Sequence, residues 1–273
     1  MLKERLLQRL AQRQERKPKL LFVDAQPLSK HARLGLPLYS RFIEKATGIS
    51  RITVVNLAEK GKLPDDPSQY DGIVFGGSKH DLREKLKWME DEQGFMEAAT
   101  KAQVPILAFC FGHQLYGALY GGELSELRDK VVGYKTVTKT DAGKRHPLLR
   151  RLRKSFLLAA SHKYYFEKTP SDSSDIIATE IADGDPPNAI IEYTNKDGKH
   201  LALTTQLHPE LANAIPAFAS ATDKEKPTMD GILIVDRRTL RRYSKRAEKA
   251  GRRLVRNWVK QQVIPHARSR AVS

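Results

Sequence analysis

"ILAFCFGHQLYGALYGG", residues 106–122, contains the only cysteine in the chain. Its apolar opening leads into Cys110, and Gly112, His113 and Gln114 follow at once. Such a run reads as a buried strand, and the residues beyond it as a helix closed by Gly121 and Gly122. Cys110 therefore stands at the bend between strand and helix. Two chemistries suit a thiol there. Free cysteine is among the most buried residue types and packs as a small hydrophobe. A thiol raised to the carboxyl edge of a sheet is instead a candidate nucleophile, because the N–H groups opening the next helix favour a thiolate and can hold an oxyanion.

Working outward, "KLLFVDA" (19–25), "RITVVNL" (51–57), "DGIVFGG" (71–77) and "VPILAFC" (104–110) are continuous apolar runs. Helical patterns lie between them, one closed by Gly48 and another spanning 84–102. Apolar strands alternating with helices predict a mostly parallel sheet covered on both faces. After Gly122 the pattern turns β-rich, with strands expected over 131–140, 155–161, 175–181, 188–194 and 200–208. Residues 211–236 are irregular apart from "GILIVD", and a basic helix over 240–263 closes the chain, its apolar face including Leu254, Trp258 and Val259. An amphipathic helix is expected over 2–15, before Pro18. The expected organisation is a basic N-terminal helix (1–18), an α/β domain (19–210) and a C-terminal extension (211–273). The domain is a three-layer α/β/α unit around a mixed, mostly parallel sheet.

The 273 residues carry a net charge of +16. It is concentrated at the ends: +5 over residues 1–19 and +12 over 237–270, leaving the body at −1. Basic ends of this kind suit an anionic partner or a solvated helix face. One cysteine excludes an intramolecular disulfide framework and argues against a cysteine-based zinc site. The eight histidines form no metal-spaced cluster with carboxylates, so no catalytic metal and no cofactor is expected. No run approaches the ~18 apolar residues of a spanning helix, and the N-terminus lacks a secretory core. The expected location is cytoplasmic.

A nucleophile needs a base and a group that orients the base. "TQLHPE" offers His208 at a strand end, with Glu210 two residues on and Pro209 restricting the chain between them. A carboxylate there can fix the imidazole tautomer. "FGGSKHD" (75–81) leaves another strand end through Gly76 and Gly77, whose backbone can approach a ligand closely. His113 reads as structural, and His80 and Asp81 as loop polar groups.

"FGGS", "AFCFGHQ" and "QLHPE", in that order along the chain and each at a strand end, resemble the class I glutamine amidotransferases, the glutaminase domains of enzymes such as GMP synthase. The resemblance spans about residues 19–210 and implies their flavodoxin-like fold. It makes Cys110 the nucleophile, His208 the base and acid, and Glu210 the residue that orients His208. Gly77 and Phe111 become the oxyanion donors, and Gly76, Gln114, Gly133, Tyr134 and His162 the substrate contacts. Two positions depart from the family pattern: Val132 precedes Gly133 where a Glu is common, and Tyr164 stands where an acid is frequent.

The implied activity is hydrolysis of glutamine or another γ-glutamyl amide through a thioester, with ammonia passing to a separate synthetase subunit. "GGSKHDLREKLKWMEDE" further resembles stand-alone γ-glutamyl hydrolases and peptidases. A third reading is a non-catalytic protein of this fold that binds nucleic acid or another anionic partner through its basic ends. No ATP-binding phosphate loop is present in the sequence.

Overall fold

The structure, a computed structural model, describes residues 17–27, 35–170, 174–180, 188–216, 227–230, 232–234 and 236–271. The helix expected over 2–15 lies outside them. The first strand, β1 (Leu20–Asp24), is buried along its whole length, as a strand covered on both faces must be. Helix α1 (Gly35–Thr47) ends at Gly48, whose φ of +80° closes it in the left-handed region. β2 (Ile52–Asn56) and β3 (Gly72–Phe75) follow, then α2 (Lys87–Lys101), β4 (Ile106–Phe109) and α3 (Phe111–Leu119). The helix expected from residue 84 starts later because Asp81 and Glu84 form a capping box around a separate 3-10 turn, Leu82–Glu84.

β5 (Glu123–Lys139) leads through the short helix α4 (Asp141–Arg145) to β6 (Ser155–Lys168). β7 (Ser174–Glu180), β8 (Asn188–Thr194) and β9 (His200–Thr205) complete the main strands, and β10 (Thr228–Met229) and β11 (Ile232–Leu233) form a short antiparallel pair. The sheet order is β11-β10-β5-β7-β8-β9-β4-β3-β1-β2, with β6 also paired to β5. β2, β1, β3, β4 and β9 run parallel to their neighbours, whereas β9, β8, β7 and β5 pair antiparallel in turn. The sheet is mixed, with helices on both faces.

β5 and β6 are longer than expected. Glu123–Glu126 pairs with Tyr164–Lys168, and Lys168 reaches Glu123 at 2.5 Å. In this segment Leu124 stands opposite the buried Phe166, and the charge pairs of Glu123 with Lys168 and Glu126 with Lys163 flank that contact.

Alternate residues of β1 feed two cores. Leu20 and Phe22 join Phe42, Ile43 and Ala46 of α1 on one face, and Leu21 and Val23 join Phe95, Met96 and Ala99 of α2 on the other. The closing helix α5 (Arg237–Trp258) belongs to the first core through Leu254, Val255 and Trp258, all fully buried. It does not stop at 263. A π-helical turn, Val259–Val263, carries it into α6 (Ile264–Arg270), and Pro265 sits in the first turn of α6, where a missing N–H costs least.

Candidate active site

β4 delivers Cys110 to the carboxyl edge of the sheet, where its N–H donates to the Thr205 carbonyl at the end of β9 (2.8 Å). Its φ of +48° and ψ of −103° lie in a region a side-chain-bearing residue rarely occupies. Such strain persists only where the surroundings over-determine it, and it marks functional turns. Gly112 makes the bend feasible. A Cβ there would stand 2.9 Å from Phe75 Cβ, and its N–H donates to the Gly76 carbonyl (3.1 Å).

His208 follows β9 and is anchored by its N–H to the Ala159 carbonyl of β6 (2.8 Å). Its Nδ1–H donates to Glu210 Oε1 at 2.6 Å, leaving Nε2 for proton transfer, and the Cys110 thiol is near enough to act on the ring electrostatically. Both His208 and Glu210 side chains are buried. Burial opposes charge on the ring, yet Glu210 and Cys110 outweigh it and hold the His208 pKa well above the usual histidine value. The turn thus favours a positive charge on the ring once it takes up a proton.

Gly77 closes the third side. A Cβ on it would lie 2.8 Å from His208 Cε1, 3.4 Å from Cys110 Cβ and 3.6 Å from Gln26 Nε2. Among the described residues, neither Gly77 nor Phe111 donates its N–H to a backbone carbonyl. Two amides flanking the sulfur are therefore free of backbone partners, an arrangement suited to an anionic oxygen.

The remaining expected site residues separate into two sets. Gln114 lies within reach of the sulfur's surroundings: its Nε2 donates to Gln206 Oε1 (3.1 Å), and Gln206 Nε2 donates to Cys110 Sγ (3.5 Å). Ser161, next to His162, offers its carbonyl to the same sulfur at 3.8 Å. His162 itself turns inward, with Nε2 3.6 Å from the buried Glu180 and Nδ1 3.2 Å from the Tyr164 carbonyl. Gly76 ends β3, its N–H on the Val23 carbonyl and its Cα face against the Phe22 ring.

Gly133 and Tyr134 are committed elsewhere. A Cβ on Gly133 would overlap the Thr228 backbone, and the Tyr134 hydroxyl donates to the Ala212 carbonyl (2.9 Å). Ala159, the register partner of Tyr134, stands between it and His208. His113 is structural, as expected. Its Nδ1 pairs with Thr204 Oγ1 at 2.8 Å, and burial together with His162 pushes its pKa down to about 3. His80 pairs with Glu84, while Asp81 binds Arg83 and the Tyr164 hydroxyl, so the departure at Tyr164 brings a carboxylate from another loop.

Sequence reasoning misses four groups at this edge: Gln206, Gln26, Tyr39 and Asp24. Gln206 sits inside the quoted "QLHPE", so its place two residues before His208 is a usable signal. Asp24, at the end of β1, accepts from Asn56 Nδ2 (3.0 Å) and the Gln26 N–H (3.3 Å). Burial, with the charge of Glu210 adding to it, raises its pKa to about 7 against those hydrogen bonds. The Tyr39 hydroxyl is pushed well above its usual value, chiefly by burial and then by Glu210, Asp24 and Cys110. Among the described residues no group of three or more His, Cys, Asp or Glu could hold a metal ion, and no helix is long and apolar enough to cross a membrane.

The family model for glutamine amidotransferase class-I matches residues 44–214. The glutamine amidotransferase-like protein YfeJ of Salmonella typhimurium is 28% identical over 138 residues, 49% of this chain and 56% of that protein. The chain thus spans little more than half the length of that relative. A glutamine-hydrolysing GMP synthase subunit of Sulfolobus acidocaldarius is 28% identical over 151 residues, covering 55% of this chain and 72% of its own. A shorter stretch of 70 residues, 25% of this chain and 28% of the relative, is 30% identical to gamma-glutamyl peptidase 4 of Arabidopsis thaliana. In fold, a glutamine amidotransferase of Thermotoga maritima superposes with a TM-score of 0.66 at 20% identity, over 91% of this chain and 99% of its own.

Proposed function

The chain belongs to the class I glutamine amidotransferases, and we propose that it hydrolyses a γ-glutamyl amide through a thioester on Cys110. His208 Nε2 takes the thiol proton as sulfur attacks the side-chain carbonyl carbon of glutamine. The carbonyl electron pair moves onto oxygen, which the Gly77 and Phe111 N–H groups receive. Collapse of this adduct breaks the carbon–nitrogen bond, and His208 returns the proton to the leaving nitrogen, which departs as ammonia. Neutral His208 then takes a proton from water while the oxygen of that water attacks the thioester. The second collapse expels sulfur, which recovers the proton, and releases glutamate. Glu210 keeps the Nδ1–H tautomer and stabilises each imidazolium.

The observation that carries this reading is one buried ring bonded to Glu210 at 2.6 Å and electrostatically coupled to the only thiol in the chain. Gly76, Gln114 and His162 are proposed to shape the glutamine pocket from its borders. Gly133 and Tyr134, held by Thr228 and Ala212, are proposed to act through the strand they fix.

The similarity to a GMP synthase's glutamine-hydrolysing subunit supports a chain that supplies ammonia to a separate synthetase subunit. The short similarity to a γ-glutamyl peptidase supports a second reading, in which the leaving group is an amine or amino acid. Partner-free assays on glutamine and on γ-glutamyl dipeptides separate the two: rapid dipeptide turnover selects the peptidase. In either case Cys110→Ala removes turnover by about a thousandfold or more. Ammonia release unchanged in that variant overturns the catalytic reading. Steeply salt-dependent binding to a polyanion that survives Cys110→Ala, with no turnover in the parent protein, selects a non-catalytic binder using its basic ends.

A further inference from the structure

The thioester mechanism leaves Gln206 without a role, although its side chain touches the reacting sulfur. Gln206 is 1% exposed, and its Nε2 lies 3.5 Å from Cys110 Sγ. Its Oε1 accepts from Gln114 Nε2 at 3.1 Å. That second contact ties the two amides together. Reversing Gln206 would set two N–H₂ groups against each other and present an oxygen to Sγ.

The sulfur therefore has partners for both of its protonation states. As a thiol it can donate to the Ser161 carbonyl at 3.8 Å, which only accepts. As a thiolate it can only accept, and Gln206 Nε2 is a donor already in place. A donor aimed at a buried anion is stronger than one shared between neutral groups, so this contact strengthens as sulfur becomes charged.

We propose that Gln206 is a catalytic residue that donates its amide hydrogen to the Cys110 thiolate, and that Gln114 is a positioning residue that holds the amide in the donating orientation. When His208 removes the thiol proton, the bond to Ser161 is lost and the bond from Gln206 remains. No proton leaves Gln206. Its amide hydrogen stays on nitrogen throughout. The spacing follows from the fold: β9 runs beside β4, so residue 206 emerges next to residue 110, and Gln114 returns to the same spot one helical turn into α3. Of the titratable groups around the site, His208 and Tyr39 interact with Cys110, and Glu210 and Asp24 act on those two in turn. None of them is altered in the variants that test the contact.

The proposal rests on the reading of Cys110 as the reacting thiol, but its test does not need turnover. Cys110 is the only cysteine, so iodoacetamide alkylation of the full-length native protein reports on it alone. The rate is measured against pH for the parent, Gln206→Leu, Gln206→Glu and Gln114→Leu. Gln206→Leu is expected to move the midpoint upward by about one pH unit, a roughly tenfold slower reaction below it. Gln206→Glu keeps the size and the acceptor for Gln114 but offers an oxygen to sulfur. It moves the midpoint at least as far and guards against a Leu variant that fails to fold. Gln114→Leu shifts it in the same direction by less. An unchanged profile in a folded Gln206→Glu protein overturns the proposal, even if glutamine turnover is normal. A shifted profile in a protein that never turns over glutamine upholds the contact and places the failure in the catalytic reading.

Discussion

At Gly77 the absent side chain leaves room for the His208 ring. A Cβ would press on His208 Cε1 from 2.8 Å, and Glu210 holds the ring in place through Nδ1. Gly77→Ala is expected to lower kcat/KM for glutamine about a hundredfold, the scale of an ångström of misplacement, with the fold intact by circular dichroism. Asp24 makes a prediction about stability. In the unfolded chain it ionises near 3.8, whereas in the fold it keeps its proton to about 7, so stability falls as pH rises across that window. Asparagine cannot ionise. Relative to the parent, Asp24→Asn should therefore gain about 5 °C or more in Tm on going from pH 5 to pH 8. A gap between the two proteins that does not change with pH would contradict it. The contrast between Gly77 and Asp24 explains what the sequence reveals. Gly77, Cys110, His208 and Glu210 are legible because each lies in a short stretch with glycine, proline or helix-start signals beside it. Asp24 and Tyr39 lie in ordinary strand and helix patterns, and only the meeting of β1, α1 and the "HPE" turn makes them part of the site.

Among the elements, α5 has a direct hold on the catalytic turn. Gly251 sits mid-helix, where glycine ordinarily costs about 1 kcal/mol relative to alanine. Here it lets the Pro209 carbonyl approach: a Cβ would fall 2.5 Å from that oxygen. Gly251→Ala should therefore lower Tm despite the better helix propensity, and reduce glutamine turnover about tenfold by displacing the residue between His208 and Glu210. A higher Tm with full activity would show that the helix does not seat the turn. This contact is invisible in a sequence where the basic helix reads as an amphipathic element with Leu254, Trp258 and Val259 on its apolar face. That face is legible, and all three side chains are buried. The polar reach of β5 from Glu123 and the passage of α5 into α6 are not. Pairing of Glu123 with Lys168 shows only once β6 lies beside β5, and periodicity carries no mark of the π-helical turn that leads α5 into α6.

Across the whole molecule, two apolar cores on opposite faces of one sheet hold the strand ends that carry Gly77, Cys110 and His208. Alternating strands and helices make the layered architecture legible. The antiparallel half of the sheet is readable as strands, but its order required the structure. The charge has an equally clear division of labour. Arg238, Arg242, Arg246 and Lys249 of α5 are exposed, whereas Ala247, Ala250 and Gly251 face inward. Replacing those four cations together by Gln should leave partner-free glutamine hydrolysis within about twofold, since charges held in water are weakened by solvent and salt. A larger loss would place the basic face within the catalytic unit. The central claim, that Cys110 attacks a γ-glutamyl carbonyl, is tested most directly by mass spectrometry of the intact and digested protein after exposure to a glutamine-like electrophile. The account predicts one adduct, on the peptide containing Cys110, suppressed by excess glutamine. An unlabelled Cys110, or labelling that glutamine does not slow, would contradict it.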